Sequence, residues 1–195
     1  MQRILVVVDM QEDFIRGPLG NDDCRNAVNG CVDLCAHGFR DEDFDWMVFT
    51  RDTHQENYLF TLEGRKLPVK HCIKDTAGWE IIPELKEWTD DASEMLMKDA
   101  LHPNYHILIN KNTFGDANQL PAFISHAWNW KGDDVELHFC GVCTSICVLS
   151  NMTICRAHFP NTRIFLHRNA TGDVTPQMKE AAFVCANSIQ CEVVD

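Results

Sequence analysis

The chain has 195 residues, enough for one ordinary domain with a full core. Its 45% hydrophobic and 24% charged residues are those of a globular protein, and no apolar run approaches the roughly 20 residues of a membrane span. The net charge of −12 argues against a nucleic-acid partner, which needs a basic face.

Ile4–Val8 is a continuous apolar run, as in a central parallel strand. It is too short for a signal peptide and ends in Asp9 without a small-residue cleavage site, so a cytoplasmic location is expected. The ten cysteines should then be mostly reduced, buried, small hydrophobes. Cys24–His37 carries a helical stripe of apolar positions. Trp46–Thr50 reads as a second strand, and Glu94–Met97 and His106–Ile109 as two short ones. Asn118–Trp130 has a helical pattern with Pro121 in its first turn, where proline is tolerated. Val135–Gly141 is a strand, Ser145–His158 a helix, Arg163–His167 a strand, Pro176–Ser188 a helix and Cys191–Val194 a last strand. The alternation predicts a single α/β domain over residues 1–195, a three-layer α/β/α sandwich around a parallel, Rossmann-like six-stranded sheet. The least regular stretch, Asp52–Thr89, is long for a loop, and long loops in compact domains are usually functional.

Ligands of open parallel sheets bind beyond the carboxyl ends of the strands. That rule selects Asp9, Asp52 with His54, Lys111, and the turn from Cys143 to Cys147, each of which follows a strand candidate. Cys147 stands where a small-residue turn enters a helix. There the macrodipole lowers a thiol pKa and favours the nucleophilic thiolate. Backbone amides of Cys143 and Cys147 at that helix start can form an oxyanion hole; the alternative is a buried helix terminus without a chemical role. Asp9 is either a desolvated general base with a raised pKa or a turn residue. Lys111 is either a solvated lysine or the cation that orients the carboxylate and stabilises the thiolate. Asp52 and His54, two apart on extended chain, share a face and can reach one ion. His71 is a third candidate ligand and Glu63 a fourth. One carboxylate and two imidazoles suit zinc, iron(II) or manganese, although nine histidines make chance pairs common.

Together these segments resemble the isochorismatase-like cysteine hydrolase superfamily, and within it nicotinamidases. The matching stretches are Val6–Phe14, Thr50–His54, Lys70–Ile81, Asn110–Phe114 and Gly141–Val148, which span nearly the whole chain in the family's order. The resemblance implies a catalytic triad of Asp9, Lys111 and Cys147 and a cis peptide between Val142 and Cys143. It further implies thiolate attack on the carbonyl of a small amide, proton transfer through Asp9 to the leaving amine, and hydrolysis of a thioester. A divalent metal beside the triad, zinc first and iron or manganese next, is implied at Asp52, His54 and His71, with no organic cofactor. Phe14 is implied as a wall of the substrate pocket, and homo-oligomers are frequent in the superfamily. Isochorismatases lack this cysteine, which argues against ether hydrolysis.

The chain also departs from the nicotinamidase pattern. Asp52-Thr53-His54-Gln55-Glu56-Asn57-Tyr58 replaces the usual Trp-His-Pro segment, and Tyr58–Gly64 is not the usual pocket lining. Three readings therefore compete: nicotinamide hydrolysis, an amidase for another small carbamoyl or ureido compound, and a non-catalytic scaffold retaining the fold. A redox-sensing thiol is a fourth, with Cys143 as the one evident partner.

Overall fold

The computed structural model describes residues 1–40, 43–90, 93–94, 106–131 and 134–195. Strand β1 (Gln2–Val8) runs through the middle of the sheet, and Ile4–Val8 is sealed from solvent throughout, which is why its sequence does not alternate. Around it lie β2 (Trp46–Asp52), β3 (Ser93–Glu94), β4 (His106–Lys111), β5 (Val135–Val142), β6 (Arg163–Gly172) and β7 (Glu192–Val194). All pair in parallel, in the order β3-β4-β2-β1-β5-β6-β7. Six strands form the expected parallel sheet, and the two-residue β3 extends its edge. The remainder of the predicted Glu94–Met97 strand lies outside the described residues.

The helices are α1 (Glu12–Ile15), α2 (Asp22–Arg40), α3 (Leu62–Lys66), α4 (Lys86–Thr89), α5 (Gln119–Lys131), α6 (Leu149–His158) and α7 (Pro176–Ser188). Two apolar clusters sandwich the sheet. Ile4, Val6 and Val8 join Phe123, Met152 and Phe183 of α5, α6 and α7 on one face. Leu5 and Val7 join Cys24, Val28, Cys31 and Cys35 of α2 on the other. Nine of the ten cysteines are buried and all are free thiols, as the composition suggested. No helix among the described residues is long and apolar enough to cross a membrane.

Chain connections leave β1 in opposite directions toward β2 and β5, so the crevice opens at the carboxyl ends of these three strands. The register brings Asp52 opposite Lys111 at the ends of β2 and β4. Val8, just before Asp9, pairs with Thr50 on one side and Gly141 on the other. Gly141 has φ +108°, and a Cβ there would meet the Val8 carbonyl oxygen at 2.1 Å. Only glycine allows β5 to approach β1 this closely where the site begins.

The region 52–89 is not a bare loop. It holds α3, α4 and three short 3₁₀ turns at Tyr58–Phe60, Ala77–Trp79 and Pro83–Leu85. The predicted helix from Ser145 begins as a π-turn over Thr144–Val148 and becomes α-helical at Leu149.

Candidate active site

Asp9 and Lys111 form an ion pair with Nζ 2.6 Å from Oδ2, and both side chains are excluded from solvent. The Thr50 hydroxyl donates to the other carboxylate oxygen, Oδ1, at 2.6 Å. Burial raises the Asp9 pKa, against the lowering influence of Lys111. Burial also disfavours the Lys111 ammonium, but Asp9, Cys147 and Asp52 around it outweigh that and hold it charged. Asp9 itself adopts φ +50°, so its side chain leaves the strand direction and turns into the crevice.

Cys147 lies in the π-turn after β5, next to both groups. The peptide entering that turn, Val142–Cys143, is cis, as the resemblance implied. The expected depression of the thiol pKa is not what the surroundings produce. Burial pushes the Cys147 thiol well up; Lys111 pulls it down, and Asp9 and Asp52 push it further up. A helix macrodipole favours a thiolate that water also solvates, whereas the fold removes water from Cys147. A thiol buried beside a carboxylate can pass its proton to that carboxylate.

A cavity of about 150 Å³ opens on Cys143 and Cys147. Phe14, Leu19, Leu67, Phe114, Ile146 and Val174 supply its apolar walls, and Asp52, Glu63 and His71 its polar end. Phe14 is one of these walls. Among the described residues no lysine or arginine lines the cavity.

At the polar end, ligand atoms of Asp52, His54 and His71 all lie within 4.8 Å of one another. Asp52 Oδ2 is 2.9 Å from His54 Nε2 and 3.6 Å from His71 Nε2. Glu63 Oε1 is 3.6 Å from His54 Nε2 and 3.7 Å from His71 Nε2. A tetrahedral ion with bonds of 2.0–2.1 Å spaces its ligand atoms about 3.3 Å apart, so these separations surround a sphere of the right size. Buried His54 Nε2 makes no hydrogen bond despite its nearness to the carboxylate, an orphan that a cation satisfies. The Val69 carbonyl holds His71 Nδ1 at 2.9 Å, which leaves Nε2 to face the group. Burial raises the Asp52 pKa, but the neighbouring His54 and His71 imidazoles and the charge of Lys111 outweigh it and hold the carboxyl well below the usual range. The residues present fit a divalent ion.

Several further residues position these groups. The Gln11 amide is fully buried, accepts from the Asp52 N–H at 2.7 Å and donates to the Asp52 and Trp79 carbonyls, each at 2.8 Å. Asp13 Oδ2 accepts from the Cys72 N–H at 2.7 Å, fixing the turn after His71. Asn151 donates to the Cys147 carbonyl at 2.9 Å and accepts from the Asp116 N–H at 2.9 Å. Tyr58 packs its ring 4.6 Å from that of His54 and 5.0 Å from that of His71. In the segment that departs from the nicotinamidase pattern, Tyr58 thus buttresses both imidazoles. The Gln11 and Asp13 contacts link residues 41 and 59 positions apart, so local spacing could not reveal them.

The isochorismatase domain family model matches residues 3–195. The chain belongs to the isochorismatase family. Within that family it is 26% identical, over the full length of both chains, to the isochorismatase family protein PncA of Bacillus subtilis (strain 168). Its fold is similar to the crystal structure of nicotinamidase/pyrazinamidase PncA from Bacillus subtilis, with TM-score 0.77, 25% identity and 100% of each chain covered. It is also similar to a pyrazinamidase of Pyrococcus horikoshii solved in complex with zinc, with TM-score 0.74 and 22% identity over 100% of this chain and 99% of that one. The isochorismatase fold thus accounts for the whole sheet order and for the rim on which the candidate residues sit.

Proposed function

We propose that this isochorismatase-family protein is a cysteine-dependent amidohydrolase of the nicotinamidase type. In this reading Asp9, Lys111 and Cys147 are catalytic, and Asp52, His54 and His71, with Glu63, hold a divalent ion. Zinc is the first choice, and iron(II) or manganese suit the same donors. The observation that carries the proposal is the buried Lys111–Asp9 pair beside a buried thiol at the floor of a cavity.

The geometry supports the following sequence. Asp9, held through one oxygen by Lys111 and the other by Thr50, takes the thiol proton as Cys147 Sγ bonds to the amide carbonyl carbon. The amides of Cys143 and Cys147 stabilise the oxyanion. Asp9 gives its proton to the amine, the C–N bond breaks and ammonia leaves a Cys147 thioester. Asp9 then takes a proton from water as its oxygen attacks the thioester carbonyl; the C–S bond breaks, the carboxylic product leaves, and Asp9 returns the proton to Cys147 Sγ. When bound, the ion supplies a Lewis-acid anchor for a ring nitrogen of the substrate.

The cavity walls select the substrate class. Apolar side chains on most sides, two acids at the polar end and, among the described residues, no lysine or arginine along the lining favour a small, flat, uncharged carboxamide over a carboxylated acyclic amide. Nicotinamide fits this description. A carbamoyl or ureido compound is the second substrate class. An ammonia-release screen over nicotinamide, pyrazinamide and small acyclic amides, with and without added zinc, iron or manganese, tests the reading. Selective turnover of the aromatic amides is expected. Turnover of acyclic ureido compounds alone overturns the substrate assignment, and no turnover of any amide overturns the function.

A further inference from the structure

The turn that carries Cys147 is held from outside by one carboxylate. Asp173 follows β6 and is completely buried. Its Oδ2 accepts from the Ser145 backbone N–H at 2.7 Å, and its Oδ1 from the Ser145 hydroxyl at 3.0 Å. The same Oδ1 accepts from the Val174 N–H at 2.7 Å, and Val174 is a wall of the cavity. The backbone around Asp173 is itself fixed. Its N–H donates to Asp23 Oδ2 at 2.8 Å, and the neighbouring Gly172 carbonyl accepts from the Thr144 hydroxyl at 3.0 Å.

The held segment needs such support. In the Thr144–Val148 π-turn, one carbonyl, that of Cys143, accepts from both Ile146 N–H at 3.1 Å and Val148 N–H at 3.2 Å. A single π-turn has weaker internal hydrogen bonding than an α-helix and recurs at functional sites. Bonds from N–H and O–H to an ionised carboxylate are about twice as strong as neutral ones. Among the described residues the partners of the Asp173 carboxylate are two backbone amides and one hydroxyl, not a cation, and two of these three groups belong to Ser145 in the turn. Asp23, one link further out, is the acid that pairs with Lys179, 3.4 Å away.

We propose that Asp173 is a positioning residue for Cys147, which sets the direction of the thiol and of the oxyanion-binding amides through Ser145 while placing the Val174 wall against the same substrate. The inference rests on Cys147 as the nucleophile.

Steady-state kinetics of Asp173→Asn and Ser145→Ala on the best amide from the screen, beside Cys147→Ala, test it. Asparagine is nearly isosteric but sets an NH₂ group against a donor. Misplacing a nucleophile by an ångström costs up to about 100-fold in rate. Asp173→Asn is expected to lower kcat at least about tenfold with KM within about threefold. Ser145→Ala keeps the backbone bond and is expected to lose about threefold in kcat with KM unchanged, a loss near the lower end of one hydrogen bond's worth. A role confined to stability lowers the melting temperature and leaves kcat per folded molecule intact. Unchanged kcat in either soluble variant, with Cys147→Ala inactive, overturns the proposal for Asp173 alone; if Asp173→Asn does not fold, Ser145→Ala decides. Residual turnover in Cys147→Ala instead overturns the nucleophile assignment.

Discussion

Lys111 Nζ and Asp9 Oδ2 meet 2.6 Å apart where neither side chain touches solvent. Desolvating two charges costs several kcal/mol for each ion, and removing one partner strands the other. Lys111→Met is therefore expected to destabilise the protein by about 3–5 kcal/mol and to abolish turnover. Urea unfolding followed by tryptophan fluorescence measures the first effect, and ammonia release the second. A variant as stable as the parent contradicts the pairing.

Gln11 clamps the Asp52 backbone from both sides. Loss of such a support beneath a metal ligand typically costs 10–100-fold in affinity or activity. Gln11→Leu is expected to weaken zinc binding by about 10–100-fold, read by competition with a chelating dye. Unchanged affinity removes Gln11 from the account.

Metal removal tests the Asp52, His54 and His71 group directly. Dialysis against a chelator is expected to lower the melting temperature and suppress turnover, and added zinc to restore both. His71→Ala is expected to bind less than one equivalent of zinc under conditions that load the parent. Full loading in that variant contradicts the ligand assignment.

A pH effect is expected away from the site. On the α2 face of the sheet His138 Nδ1 lies 3.0 Å from His167 Nε2. Burial, then His167, Arg3 and Arg163, holds His138 down to about 3, from the ordinary 6.5. Between those values the unfolded chain binds a proton that the folded one does not. This contribution to stability is complete above pH 6.5 and is lost as pH falls toward 3, with a slope of up to about 1.4 kcal/mol per unit. His71 works in the opposite direction: burial lowers its pKa, but the neighbouring Asp52 carboxylate and the Val69 carbonyl outweigh burial and raise it. The informative quantity is thus the difference between parent and His138→Gln in urea midpoints at pH 7.5 and pH 5. A shallower acid loss in the variant is expected, and parallel losses contradict it.

Sequence patterning reached the strands because each is a short apolar run, and the crevice rule then gathered Asp9, Asp52, Lys111 and Cys147 on one rim. Legibility ended where contacts are long-range. The Asp173 carboxylate reaches Ser145 across 28 positions, and Gln11 reaches Asp52 across 41. No periodicity encodes either. The Cys147 ionisation is not legible for a related reason: the macrodipole is a local feature, but desolvation depends on the whole fold. The helix at residues 62–66 has no sequence signature because a five-residue element, capped by the Thr61 hydroxyl, is too short to show an amphipathic period.

The central claim is that Cys147 forms the bond to the substrate carbonyl. Parent and Cys147→Ala proteins, each loaded with zinc, can be compared for ammonia release from nicotinamide and for melting temperature. Complete loss of release in a variant that melts within a few degrees of the parent is expected. Substantial release from folded Cys147→Ala contradicts the account.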